Sequence, residues 1–395
     1  MCFNNDNTVR NLFLLLIPML YVSLGTMINV YTSSVPYIDW VRLFISLIGL
    51  MILFKSFVFV RFQETNFLYT ILWLGILILL STFFKNIDAF RPESVREISD
   101  SIMWMLVLIL AYNISYQSID IFDYIPKIAW IIPLYTFVFL NVRGFLINSE
   151  ETAMISTAYY PMMLLPFVLL NKNIIIRWGL IVLTFITILL SSKRGGFIAL
   201  FLGLATYYYV SYVSQRSIAR KIFSILCGVF ILFLLINFTE YYVALNDLTI
   251  LERLSYVDED GGSGRDVVWK HTWSMITNSS IPQLLFGHGF NAVYSDSVLK
   301  LSAHNDFLEI IYDYGFVGLL LFITLYIKLW HYYKKIKDTM PDVAGPFAAS
   351  IIIALSISMV AHLVIHPILF MFLCMFWGFC IAECDKRQDI LDIYD

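Results

Sequence analysis

The sequence predicts an all-α, polytopic membrane protein, and three observations carry that prediction. Hydrophobic residues make up 59% of the 395-residue chain and charged residues only 14%, against roughly a quarter charged in soluble domains. The apolar residues gather in runs of about 20, the length of helix that crosses a hydrocarbon core. The basic residues between those runs fall on alternate sides, as the positive-inside rule requires of membrane helices.

About twelve transmembrane helices are expected, near residues 11–30, 41–60, 67–84, 101–116, 126–146, 152–171, 174–191, 195–213, 222–238, 312–331, 343–364 and 367–384. The first follows MCFNNDNTVR, which has a single Arg and no small-residue cleavage pattern, so it reads as a retained helix. RFQET at 61–65, the NKN turn with Arg177, SQRSIARK at 214–221, KKIKD at 334–338 and the tail DKRQD share one side. Positive-inside makes that side cytoplasmic, with both termini on it. The same alternation puts segment 85–100, SSKRGG at 191–196 and one large, partly helical extracytoplasmic loop at 239–311 outside. No internal repeat or separate soluble domain is evident, so residues 1–395 read as one membrane domain containing that loop.

Composition also excludes classes. A net charge of −3 leaves no basic excess for nucleic acid. The cysteines Cys2, Cys227, Cys374, Cys380 and Cys384 avoid the 239–311 loop, so no disulfide framework is implied.

Three outer elements stand out chemically. Lys193 and Arg194 end a helix on the side where basic residues are disfavoured. Either something there wants positive charge, or these side chains snorkel to the interface. Arg265 follows the glycine-rich turn GGSG and precedes Trp269, Trp273 and Ile276 at helical spacing, which puts it in the first turn of a helix. A cation there opposes the helix dipole by roughly 0.3–1 kcal/mol. A bound anion removes that conflict, and so does pairing with Asp258, Glu259, Asp260 or Asp266. His304 and Asn305 stand where LSAHNDFLEIIYDYGFVG enters a membrane helix. A helix N-terminus disfavours the imidazolium, so His304 stays neutral and accepts a proton; the plain alternative is an interfacial hydrogen-bonding residue or helix cap.

The expected topology gives these elements a common setting. Helices starting near 195, 265 and 304 all present N-termini outward, each with an Arg or His. Unpaired N–H groups at helix N-termini bind phosphate, and Arg grips it through bidentate hydrogen bonds. The physical expectation is an external pyrophosphate pocket formed with Arg194 and Arg265, and His304 as the base.

The three segments resemble the O-antigen ligase and polymerase superfamily, bacterial integral-membrane glycosyltransferases that use sugars carried on a polyprenyl pyrophosphate. SSKRGG is similar to the family's Arg segment, and SGRDVVW followed by LLFGHGF to its loop signature. AHNDFLEIIYDYGFVG is similar to its His-Asn-x-x-Leu segment with a Gly-x-x-Gly pair, here Gly315 and Gly318. Their order matches too, and the recognisable part covers about 190–330.

The resemblance implies that Arg194 and Arg265 hold the pyrophosphate and that His304 deprotonates the acceptor hydroxyl. Direct displacement at the anomeric carbon follows, with inversion and without a metal or cofactor. Lys193, Asn305, Asp306 and Glu309 are expected only as supporting groups behind these. The implied partners are an undecaprenyl-pyrophosphate-linked oligosaccharide donor and acceptor, membrane lipids and, as a candidate, a chain-length regulator. The implied place is the bacterial cytoplasmic membrane, with the site on the outer face.

Weaker signals have plain readings. Asp258-Glu259-Asp260-Gly261 looks like a calcium loop, but Trp269 stands where such a loop supplies its bidentate carboxylate. His362 and His366 have i, i+4 spacing at an outer helix end, yet no Glu follows the first and no third ligand is evident, so acceptor lining or packing is expected rather than zinc. Segment 85–100 reads as a short solvated helix or a wall of the sugar channel, and Tyr159 and Tyr160 as packing or a sugar platform.

Polymerase and ligase readings share the donor. The SGR-x-x-x-W and HNDFLE wording is closer to the polymerase branch, which extends another lipid-linked repeat unit; a ligase transfers to a lipid A core. A secondary transporter is the rival from another class, but it would gather its charges near the midplane and show repeated halves, neither of which is seen.

Overall fold

The computed structural model describes residues 5–29, 66–85, 92–118, 121–148, 156–191, 193–213 and 261–394. Every regular element among them is helical. Seven of those helices are long and apolar enough to cross a membrane. The expected spans at 41–60 and 222–238, residues 239–260 of the large loop and Asp258–Asp260 lie outside the described residues.

The helices are α1 (Asn5–Asn29), α2 (Asn66–Lys85), α3 (Pro92–Gln117), α4 (Ile132–Asn148), α5 (Tyr159–Met163), α6 (Leu165–Leu169), α7 (Ile174–Leu190) and α8 (Arg194–Tyr208). After these come α9 (Gly261–Thr277), α10 (Ile281–Phe286), α11 (Ala292–Asp296), α12 (Asp306–Thr339), α13 (Pro341–Val360) and α14 (Pro367–Tyr394).

Three elements depart from the pattern-based reading. From residue 92 on, the charged segment expected as a separate short helix is continuous with the 101–116 span as α3. From Ser156 on, the run expected as a span at 152–171 is a 3-10 turn followed by the short α5 and α6, with Tyr159 to Leu169 buried. Pro161 and Pro166 explain this, because each lacks the N–H that a continuous helix needs. Helix α4 is led in by a 3-10 stretch, Ile125–Ile131.

By internal packing the chain forms two units. The first comprises Met1–Tyr124, Gly264–Thr339 and Ile357–Asp395. Its centre is α14, buried along its whole apolar length and packed against α3. The two backbones approach closely where Gly378 faces Leu108, Ala111 and Tyr112, leaving no space for a side chain at 378. Small residues at such crossings supply the dispersion contact that lipid cannot. Outward-facing residues of α1, α2 and α12, such as Phe13, Ile17, Trp73, Leu80, Leu320 and Ile327, are exposed and apolar, the pattern of a lipid-facing surface.

Polar groups of this unit sit at the two ends of α14. Near its C-terminal end, Asp385 accepts hydrogen bonds from Tyr112 Oη at 3.0 Å and Tyr332 Oη at 3.1 Å. Tyr116 donates to Asp389 at 2.7 Å. The other end begins at Pro367, roughly 27 Å away along the helix axis, close to the thickness of a hydrocarbon core.

The second unit comprises Ile125–Ser263 and Met340–Ser356. Asn173 caps α7 by accepting the Ile175 and Ile176 N–H groups at 3.0 and 3.3 Å. Tyr135 and Tyr160 stack at 5.1 Å inside it. Tyr159 and Tyr160 are therefore core residues, not an open sugar platform.

Candidate functional site

The first turns of α12 organise one end of the first unit. Asn305 Oδ1 caps the helix by accepting Phe307 N–H at 3.0 Å and Leu308 N–H at 3.2 Å. Three carboxylates follow on one helical face, Asp306, Glu309 and Asp313, each 0–1% exposed. Each receives a different piece of backbone. Asp306 accepts Ser358 Oγ at 2.6 Å and the Leu363 and Val364 N–H groups at 3.0 and 3.2 Å. Glu309 accepts Ala303 N–H at 2.7 Å. Asp313 accepts Asn291, Ala292 and Val293 N–H at 2.7, 2.9 and 3.2 Å. Buried carboxylates are tolerated only when hydrogen-bonded in this way.

A joint between two glycine motifs fixes the next layer. Gly315 interrupts α12 with φ 70° and ψ −176°, a conformation favoured by glycine. At the kink the Tyr312 and Asp313 carbonyls accept His288 N–H at 3.0 Å and Gly289 N–H at 2.8 Å. Gly287, at φ 80°, lies against the Asp313–Tyr314 peptide, while Gly315 lies against Leu285 and Phe286. The His288 ring stacks on Tyr312 at 4.0 Å. Thus the GHG of LLFGHGF seats in the break that Gly315 makes in IIYDYG.

His304 stands at the centre of this construction. Its φ is +52°, left-handed and uncommon for a residue with a Cβ. The Ala303 N–H to Glu309 bond on one side and the Asn305 cap on the other hold it there. Such strain costs of order 1–3 kcal/mol and gathers at functional sites. Its ring stacks on His362 at a centroid distance of 4.7 Å and an interplanar angle of 22°. His362 in turn meets His366 at 4.5 Å and 49°.

His362 and His366, spaced i, i+4 in the sequence, are not on a helix, since α13 ends at Val360 and residues 361–366 form a loop. The row of three imidazoles is completed by His304. His366 is exposed by surface area, yet protein atoms lie densely around it. These surroundings, and then the neighbouring His304, hold its pKa below the ordinary histidine value. Among the described residues, no group of three or more His, Cys, Asp or Glu is arranged to hold a metal ion.

The GGSG run expected as a turn ahead of the helix lies within α9, which begins at Gly261, so Arg265 is its fifth residue and follows Gly264 at φ +75°. Its helix α9 joins the His304 loop through Ile276, about three turns further on, in a core cluster with Ala292, Val293, Ala303, Ile311 and Tyr312. The Trp269 Nε1 is buried with no acceptor among the described residues. Arg265 and His304 thus belong to the same unit.

Lys193 and Arg194 belong to the other unit. Lys193 is the N-cap of α8 and Arg194 its first residue. In KRGG, Gly196 leaves room for Tyr159, whose ring would stand 2.6 Å from a Cβ there. Arg143, which motif reading missed, donates its Nε–H to Leu190 O at 2.9 Å, next to the same turn. It was legible in principle, because it too is a basic residue at the expected outer end of a span.

These features define a multi-pass, all-helical membrane protein with a histidine-bearing loop cluster packed against an acidic helix start. Residues 179–323 match the family model described as O-antigen ligase. This part of the chain is therefore similar to O-antigen ligases, and it contains the KRGG, SGRDVVW, LLFGHGF and HNDFLE segments. No curated protein matches the chain.

Proposed function

We propose that the protein is a polysaccharide polymerase, of O-antigen or capsule type. It transfers a glycan from undecaprenyl pyrophosphate to the non-reducing end of another lipid-linked repeat unit at the outer face of the bacterial cytoplasmic membrane. The observation that carries the reading is His304, held in a left-handed conformation by Glu309 and Asn305 within the family-matched stretch.

In this reading His304 takes the proton of the acceptor hydroxyl as its oxygen bonds to the anomeric carbon. The bond from that carbon to the pyrophosphate oxygen breaks, and undecaprenyl pyrophosphate leaves with the electron pair, inverting the centre. Arg194 and Arg265 bind the pyrophosphate and offset its developing charge, the role of donors aimed at a leaving group. Their assignment rests on the motif resemblance and on guanidinium chemistry. No metal is assigned a part. A chain-length regulator is a proposed partner.

The family description favours a second reading, a ligase that transfers the finished glycan to lipid A core. Reconstituting the protein with lipid-linked repeat units alone separates the two. A product ladder supports the polymerase, whereas turnover only after core is added supports the ligase.

A further inference from the structure

We infer that His362 is a positioning residue for the transfer, its ring backing the His304 imidazole so that His304 presents one edge to the acceptor hydroxyl. The inference rests on the reading of His304 as the base. Two adjacent residues at the start of α12 bring the segments together. Asn305 Nδ2 donates to Met359 O at 3.2 Å while its Oδ1 caps the helix. Asp306 accepts Leu363 and Val364 N–H at 3.0 and 3.2 Å and Ser358 Oγ at 2.6 Å. The backbone on both sides of His362 is therefore tied to the turn that follows His304.

The stacking distance of 4.7 Å lies within the range of favourable aromatic contact. The backbone at φ +52° does not set the ring's χ2, which is a broad torsion for histidine. A flat neighbour against one face narrows its range. Ser302 Oγ lies 3.4 Å from His362 Nδ1 and steadies the second ring, while His366 supports it at 4.5 Å. Face-to-face rings do not point nitrogens at each other, so the arrangement suits orientation and not ring-to-ring proton transfer.

The test uses the full chain in liposomes with a defined undecaprenyl-pyrophosphate-linked repeat unit, comparing wild type, His304→Ala, His362→Ala and His362→Phe. His362→Ala is expected to lower kcat about 10–100-fold, the penalty of a misplaced catalytic group, with KM for the lipid-linked substrate changed less than about twofold. His362→Phe restores the flat face and is expected to recover kcat to within about threefold of wild type. An inactive His304→Ala beside a fully active His362→Ala overturns the positioning role alone. His362→Phe as slow as His362→Ala, each with a wild-type melting transition, also overturns it, because a ring nitrogen is then required. Should His362→Ala fail to fold, the kcat of His362→Phe decides: recovery supports the stack and loss rejects it. An active His304→Ala removes the base reading itself.

Discussion

Glu309 accepts the N–H of Ala303 at 2.7 Å, one residue before the imidazole proposed as the base. The helix that carries the carboxylate thereby fixes the loop that carries the histidine. Sequence spacing explains the pairing, since the fourth residue of a helix turns back toward its own N-terminal cap.

Replacing Glu309 tests this brace. Glu309→Ala leaves a buried N–H without an acceptor, which costs about 1–3 kcal/mol, and it frees the loop at His304. The expected outcome is a lower melting temperature together with reduced turnover. Glu309→Gln keeps an acceptor oxygen and should recover most of both. Thermal unfolding in detergent and initial rates on lipid-linked substrate measure the two effects.

The glycine joint gives a graded prediction. Gly287→Ala and Gly315→Ala each put a Cβ into backbone of the facing segment at positive φ. Gly264→Ala, also at positive φ, meets nothing within 4 Å. Backbone strain of order 1–3 kcal/mol is shared by all three, but only the first two add overpacking of about 1–3 kcal/mol. Melting temperatures should therefore fall much further for Gly287→Ala and Gly315→Ala than for Gly264→Ala.

The arginine roles predict a different signature. Arg194→Lys and Arg265→Lys retain charge but lose the bidentate fork. Both should raise KM for the donor and slow transfer without lowering the melting temperature. Near-normal chain synthesis in either variant would count against pyrophosphate binding at that position.

A control comes from the far end of α14. Asp385→Ala deprives the hydroxyls of Tyr112 and Tyr332 of their shared acceptor, at about 1–3 kcal/mol for each donor left unsatisfied. Stability should fall while the turnover of the folded fraction stays normal. Circular dichroism melts and rates normalised to folded protein distinguish this from damage at the site.

What the sequence revealed followed from local chemistry. Long apolar runs announced the helices, and the step from polar to apolar at His304-Asn305-Asp306 marked a helix start that Asn305 indeed caps. KRGG and the order of the motifs were readable because each is a short, contiguous string. What stayed hidden depends on chain segments meeting in space. Gly287 and Gly315 are intelligible only as a pair, each making room for the other's backbone. His362 and His366 have helical spacing, but α13 stops at Val360, and their partner comes from residue 304. The carboxylates Asp306 and Glu309 were anticipated only as supporting groups, because nothing local tells which backbone they hold.

The central claim is that His304 acts on the acceptor and not on donor binding. The most direct measurement compares wild type and His304→Ala in one reconstituted preparation, recording donor affinity and glycan transfer together. The account predicts an unchanged dissociation constant for the lipid-linked donor with transfer abolished. Transfer at the wild-type rate in His304→Ala, or loss of donor binding equal to the loss of transfer, would contradict it.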